Sequence, residues 1–173
     1  CLWASMKSGR SVKWTSDRTE AFLTDAHGRD HVSTAKIGFD SDGKIVGLKV
    51  NTKANLGAYM SLFSSAVPTY LYATLLSGQY DIANIYCDVQ AVYTNTVPVD
   101  AYRGAGRPEA CYVVERIMET AAREMGMDPA ELRSKNFVRS FPHQTPVIMA
   151  YDSGDFDANL KQAQEAADVA GFA

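Results

Sequence analysis

The residues best suited to chemistry lie in Asp100–Ala110, DAYRGAGRPEA, where Gly104 and Gly106 alternate with Arg103 and Arg107 just ahead of Pro108 and a long amphipathic run. Glycines let a backbone approach an oxyanion or phosphate closely, the unpaired amides of a following helix attract negative charge, and arginines add charge-assisted hydrogen bonds. The same glycines also suit a strand-to-helix turn that binds nothing, and the residues alone leave both readings open. The stretch is not a dinucleotide fingerprint, because Glu109 stands where GxGxxG needs its third glycine.

No other constellation competes. His27, His31 and His143 fit neither HExxH nor a compact metal cluster, and they read as surface or hairpin-flanking residues. There is no GxSxG elbow, and Ser64 and Ser65 have no identifiable base. Cys1, Cys87 and Cys111 are odd in number and widely spaced, so neither a disulfide framework nor a CxxC metal site is implied. They read as small packed residues in a reducing cytoplasm, Cys111 as a packed thiol inside the amphipathic run. Glu109, Glu115 and Glu119 read as helix-surface acids, Glu109 also as a first-turn acid favoured by the helix dipole.

The elements that must hold the glycine stretch can be read from periodicity. Pro108 suits a first helical turn, and Ala110, Val114, Ile117, Met118, Ala121 and Met125 then recur on one face until Gly126. Asp128, Pro129 and Glu131 cap a second, short helix, and Asp152 or Ser153 would cap a third near the end. Upstream, HVSTAKIGF and KIVGLKVNTKAN alternate on either side of Asp42-Gly43, which predicts a β-hairpin. NIYCDVQAVYTN predicts a further strand, SVKWTSDRTEAF another, and Leu2–Ser8 a short helix stopped by Gly9. The segment from Ala58 to Gly78 reads as irregular or partly helical around Pro68. Strands first and helices after, with a hairpin instead of βαβ spacing, give an α+β class: an antiparallel hairpin or sheet followed by packed helices.

An apolar share of 46% and a charged share of 21% over 173 residues suit one domain or a piece of a larger one. With 17 basic and 20 acidic residues the net charge is −3, which excludes the basic footprint of a nucleic-acid binder. The longest apolar run, SLFSSAVPTYLYATLLSG, is broken by Pro68 and threaded with hydroxyls, so no transmembrane segment is expected. The chain opens on CLWASMKSGR without an initiator methionine and closes on EAADVAGFA within a helical pattern, which reads as an excised segment.

AYRGAGRPEA, followed by ERIMETAAREMGMDPAELRSKNF, resembles the cofactor-binding large subunit of the molybdenum hydroxylase (xanthine dehydrogenase and aldehyde oxidase) family, within it the bacterial carbon monoxide dehydrogenase large chains. GRSVKWTSDRTEAF, the hairpin running into NLGAY, and YDSGDF match further family segments in the same order. The resemblance implies that residues 1–173 are part of the molybdenum-cofactor-binding domain of a larger subunit. Such enzymes hydroxylate a carbon centre, or in one branch oxidise carbon monoxide, at molybdenum carried by a pterin. It assigns Tyr102, Arg103, Gly104, Ala105, Gly106 and Arg107 to cofactor binding, with the cofactor expected as molybdopterin cytosine dinucleotide. FAD and 2Fe-2S clusters are implied on a medium and a small partner subunit, in the cytoplasm or peripheral to the inner membrane.

Three departures narrow the substrate. Gly104 stands where the carbon monoxide branch carries a copper-binding cysteine, in AYRCSFR, and Ala105 where purine-oxidising relatives carry an aromatic residue. The arginine that orients purines has no counterpart between Arg29 and Arg103, Leu71 taking its place. A small aldehyde or an N-heterocycle is the substrate class left. Neither the family's GGGFG segment nor its late glutamate base occurs in the sequence, so no catalytic base or metal ligand is assigned and the chain by itself is expected to be inactive. It is also expected to self-associate through exposed apolar surface. The alternative reading is a non-catalytic structural or subunit-interface module; a self-contained anion-binding domain is a third.

Overall fold

The computed structural model describes residues 1–172. Its centre is the hairpin of β1 (His31–Phe39) and β2 (Ile45–Asn55), paired antiparallel with Ala35 opposite Val50. Gly43 takes the left-handed conformation at φ 79° that the turn demands. Asp40 closes that turn by accepting from the amides of Asp42 and Lys44 at 2.9 and 2.8 Å. The alternation in β2 turns Leu48, Val50 and Thr52 inward, and these side chains are almost wholly buried.

Strand β3 (Ile85–Val92) forms as expected but pairs parallel to β2, with Cys87 opposite Val50, so the sheet is mixed and not antiparallel throughout. The reason is the connection. Residues 56–84 cross back to the starting end of β2 through a π-helical turn at Val67–Leu71, and a crossover of that kind delivers a parallel neighbour. On the way it buries Tyr72, Leu76, Tyr80 and Ile82 beneath the sheet.

Helix α3 (Arg107–Met125) has Pro108 in its first turn and is stopped by Gly126 as read from sequence, and buries Ala110, Val114, Met118 and Ala121 in the same core. Met125, at the helix end, overshoots the core and is 41% exposed. Helix α4 (Pro129–Asn136) is capped by Asp128, whose carboxylate accepts from Ala130 and Glu131 at 2.9 Å. Asn136 then ties α4 to the hairpin. Buried at 1% exposure, it accepts from the Ile45 amide at 2.8 Å and donates to the Gly43 and Leu132 carbonyls at 2.9 Å.

Three local expectations are corrected. SVKWTSDRTEAF is not a strand, because Asp17 and Glu20 form a reciprocal capping box that starts helix α2 (Arg18–Thr24), after α1 (Leu2–Ser8). The last long helix, α5 (Phe156–Ala166), takes Asp155 as its cap, not Asp152 or Ser153, the Asp155 carboxylate accepting from Ala158 at 3.0 Å. Two of the cysteines are not core residues: Cys1 and Cys111 are exposed, while Cys87 is half-buried and packs against the core. Cys111 follows Ala110 by about 100° around the helix, which carries it off the buried stripe. A two-residue ribbon of β4 (His143–Gln144) and β5 (Ala150–Tyr151) precedes α5, and a short α6 (Val169–Phe172) follows it.

Candidate functional site

The glycine stretch forms a tight turn between the sheet and α3. Gly104, Ala105 and Gly106 all lie in the positive-φ region, at 97°, 23° and 86°. Each glycine is needed for a different reason. A Cβ on Gly106 would lie 2.7 Å from the Tyr72 amide and closer still to the Leu71 carbonyl, so the turn sits directly on the backbone of the crossover. A Cβ on Gly104 would meet the Pro108 ring at 2.9 Å.

The amides are not all available. Ala105 donates to the Tyr102 carbonyl at 2.7 Å, Arg107 to the Gly104 carbonyl at 3.0 Å, and Ala110 to the Gly106 carbonyl at 3.0 Å. Pro108 has no N–H. The Gly104, Gly106 and Glu109 amides have no acceptor among the described residues, so free donors lie both in the turn and in the first turn of α3. Tyr102, Arg103, Gly104 and Arg107 are exposed, Ala105 is partly so, and Gly106 is buried. Neither Arg103 nor Arg107 has an ion-pair partner among the described residues. This donor-only set of amides and guanidinium groups suits an oxygen-rich, acceptor-bearing ligand.

Two further groups hold the turn, and the sequence reading assigned neither. Asp100 anchors its near side to the crossover, accepting from the Phe63 and Ala101 amides at 3.1 and 2.6 Å and from the Ser61 hydroxyl. Its slight burial alone would raise the carboxyl, but these hydrogen bonds outweigh that and hold it below its ordinary value. Arg29, just ahead of β1, donates to the Arg103 carbonyl, and its Cζ lies 4.9 Å from the centre of the Tyr102 ring.

Glu109 is the main correction at the site. It is 9% exposed and not a surface acid, because the first turn of α3 carries it beneath the head of β1, where its Oε2 lies 3.8 Å from the Arg29 Nε. Glu115 and Glu119 are half-buried too: Glu115 accepts from the Tyr80 hydroxyl at 2.7 Å and both acids pair with Arg133. The oxygens of Glu109, the Arg29 Nε and the His31 Nδ1 are buried without hydrogen-bond partners among the described residues, and all three residues line one groove of about 870 Å³ between β1 and α3. His31 packs edge-on to Tyr72 with ring centres 5.1 Å apart. A signal for Arg29 was present in HGRDH, a charged residue after a glycine at a strand head, but its partners are distant in sequence. No group of three or more metal-binding side chains occurs among the described residues.

Residues 1–137 match the family model described as the molybdopterin cofactor-binding domain. The chain belongs to that family. The carbon monoxide dehydrogenase large chain of Hydrogenophaga pseudoflava is 42% identical over 172 residues, covering 95% of this chain and 21% of that protein. Quinoline 2-oxidoreductase from Pseudomonas putida 86 superposes with a TM-score of 0.91 at 28% identity, over 99% of this chain and 22% of that one. Reconstituted CO dehydrogenase from Oligotropha carboxidovorans superposes with a TM-score of 0.88 at 33% identity, again over 99% and 22%. The chain thus spans about a fifth of the length of the curated relatives it matches. The cofactor class of the molybdopterin-binding family is acceptor-rich, in keeping with the donor set of the turn.

Proposed function

We propose that this chain is part of the cofactor-binding domain of a larger molybdenum-dependent oxidoreductase, and that Tyr102, Arg103, Gly104, Ala105, Gly106 and Arg107 meet the cofactor. The observation that carries the reading is the turn itself. Inside the family-matched segment, two glycine amides without acceptors and two unpaired arginines crowd one short, firmly held loop. When bound, the cofactor supplies oxygen and electron transfer at molybdenum. The chain's own part is to orient it: the Gly104 and Gly106 amides donate to its acceptor atoms, and Arg103 and Arg107 offset negative charge there.

The pterin is proposed as the cytosine dinucleotide form. A medium subunit with FAD and a small subunit with 2Fe-2S clusters are proposed as partners, a reading supported by relatives named as large chains or large subunits. A cytoplasmic location agrees with three free cysteines, and no described helix is long and apolar enough to cross a membrane.

The substrate we propose is a small aldehyde or an N-heterocycle, not carbon monoxide. A copper site needs a thiolate at the turn, and position 104 is a glycine at φ 97° against Pro108. The fit to a quinoline-oxidising enzyme supports the heterocycle class. The test is molybdenum analysis of the full-length subunit co-expressed with its neighbours, wild type against Arg103→Ala. Stoichiometric molybdenum in the wild type and a marked loss in the variant are expected; no molybdenum in either would refute the reading.

A further inference from the structure

We infer that Arg29 is a positioning residue that sets the conformation of the Tyr102–Arg107 turn, with the buried Glu109 carboxylate holding its guanidinium in place. That the turn so positioned meets a cofactor rests on the function proposed above. The inference concerns a residue outside the turn, brought to it by the fold.

One side chain reaches three consecutive residues of the turn. Its Nη2 donates to the Arg103 carbonyl and stands 3.5 Å from where a Cβ on Gly104 would be, and its Cζ lies over the Tyr102 ring, 4.9 Å from the centre. A planar guanidinium can donate along its edge and stack through its face at once, which a lysine ammonium cannot do. The backbone is bent to deliver it. Arg29 has φ 58°, uncommon for a residue with a side chain, and Gly28 before it lies so close to Tyr102 that a Cβ would fall 2.5 Å from the Tyr102 Cβ. His27 completes the rail, its amide donating to Pro98 at 2.9 Å and its carbonyl accepting from Asp100 at 2.7 Å.

Glu109 fixes the other side of the guanidinium. Neither of its oxygens has a hydrogen-bond donor among the described residues, and Arg29 at 3.8 Å is the cation that offsets its buried charge. The pair therefore couples the first turn of α3 to the Arg103 carbonyl. The buried face of α3 and the hairpin are held by an apolar cluster that includes Val50, Val114 and Met118 and of which Arg29 is not a member, so its loss should be felt locally.

The experiment is amide hydrogen exchange on the full-length subunit, with molybdenum content measured in parallel, for wild type, Arg29→Ala and Arg29→Lys. In Arg29→Ala the two hydrogen-bonded turn amides, those of Ala105 and Arg107, should exchange on the order of tenfold faster or more, while those of residues 45–55 stay as in wild type. Arg29→Lys keeps a charge opposite Glu109 but loses the fork, and should show the same local acceleration; it decides the matter if the alanine variant fails to fold. Turn amides protected as in wild type, or acceleration spread equally over β2, would overturn the inference. Wild-type protein without molybdenum would sink the cofactor reading alone, since the exchange data judge Arg29 independently.

Discussion

At position 104 the turn and the substrate question meet. Restoring the cysteine of the carbon monoxide branch, Gly104→Cys, places a side chain at φ 97° and 2.9 Å from the Pro108 ring. That conformation costs roughly 1–3 kcal/mol for a residue with a Cβ, so the variant should melt earlier and acquire no stoichiometric copper, both measurable on one preparation. A copper-loaded, equally stable variant would show that the turn accepts a side chain at 104 and that its conformation does not require the glycine. His31 provides the pH test. Burial is the largest influence on it and pushes the imidazole below its ordinary 6.5, against the fields of Glu109 and Asp30. A depressed histidine favours the neutral ring in the folded state, so its contribution is complete above 6.5 and declines as pH falls through that value toward the lowered one. Thermal melts on either side of 6.5 should therefore show a smaller acid loss in His31→Gln than in wild type.

Among the elements, the helices and the hairpin are joined by a few buried polar groups that local sequence does not reveal. Asn136 satisfies the Ile45 amide and the Gly43 carbonyl at once, so Asn136→Ala strands a buried donor and a buried acceptor. The expected cost is about 1–3 kcal/mol, read as a lower midpoint in chemical denaturation with unchanged slope. The contrast explains what was legible beforehand. Asp42-Gly43, Pro108, Gly126 and Asp128 announce their elements because a turn or a cap is decided within a few residues. The parallel partner of β3 was not legible, since it depends on how residues 56–84 fold back. At Asp17–Glu20 two local signals conflicted, and the capping box prevailed over alternation. The glycine turn was readable as a candidate site from its residue types, whereas the burial of Glu109 was not, because it depends on Arg29 arriving from the head of β1.

For the molecule as a whole, the distribution of apolar surface sets the behaviour of this chain by itself. The core is continuous from Leu48 through Tyr72 to Met118, yet Leu2, Trp3, Met6 and Leu23 are each more than 70% exposed and belong to α1 and α2, neither of which buries a residue. Trp14 and Phe22 add to the same end of the sequence at 59% and 65% exposure. Scattered apolar residues are normal on a surface, but aromatic and aliphatic groups gathered on two short helices without buried anchors favour association. The isolated 173-residue chain should therefore scatter light as a species heavier than its 18.9 kDa, with apparent mass rising with concentration. Trp3→Ser combined with Phe22→Ser should shift it toward monomer while leaving the β1–β2 hairpin intact, because neither residue contacts the core cluster. A wild-type chain that stays monomeric at high concentration would mean that α1 and α2 are tolerated in water, and the apolar surface would then need no partner to explain it.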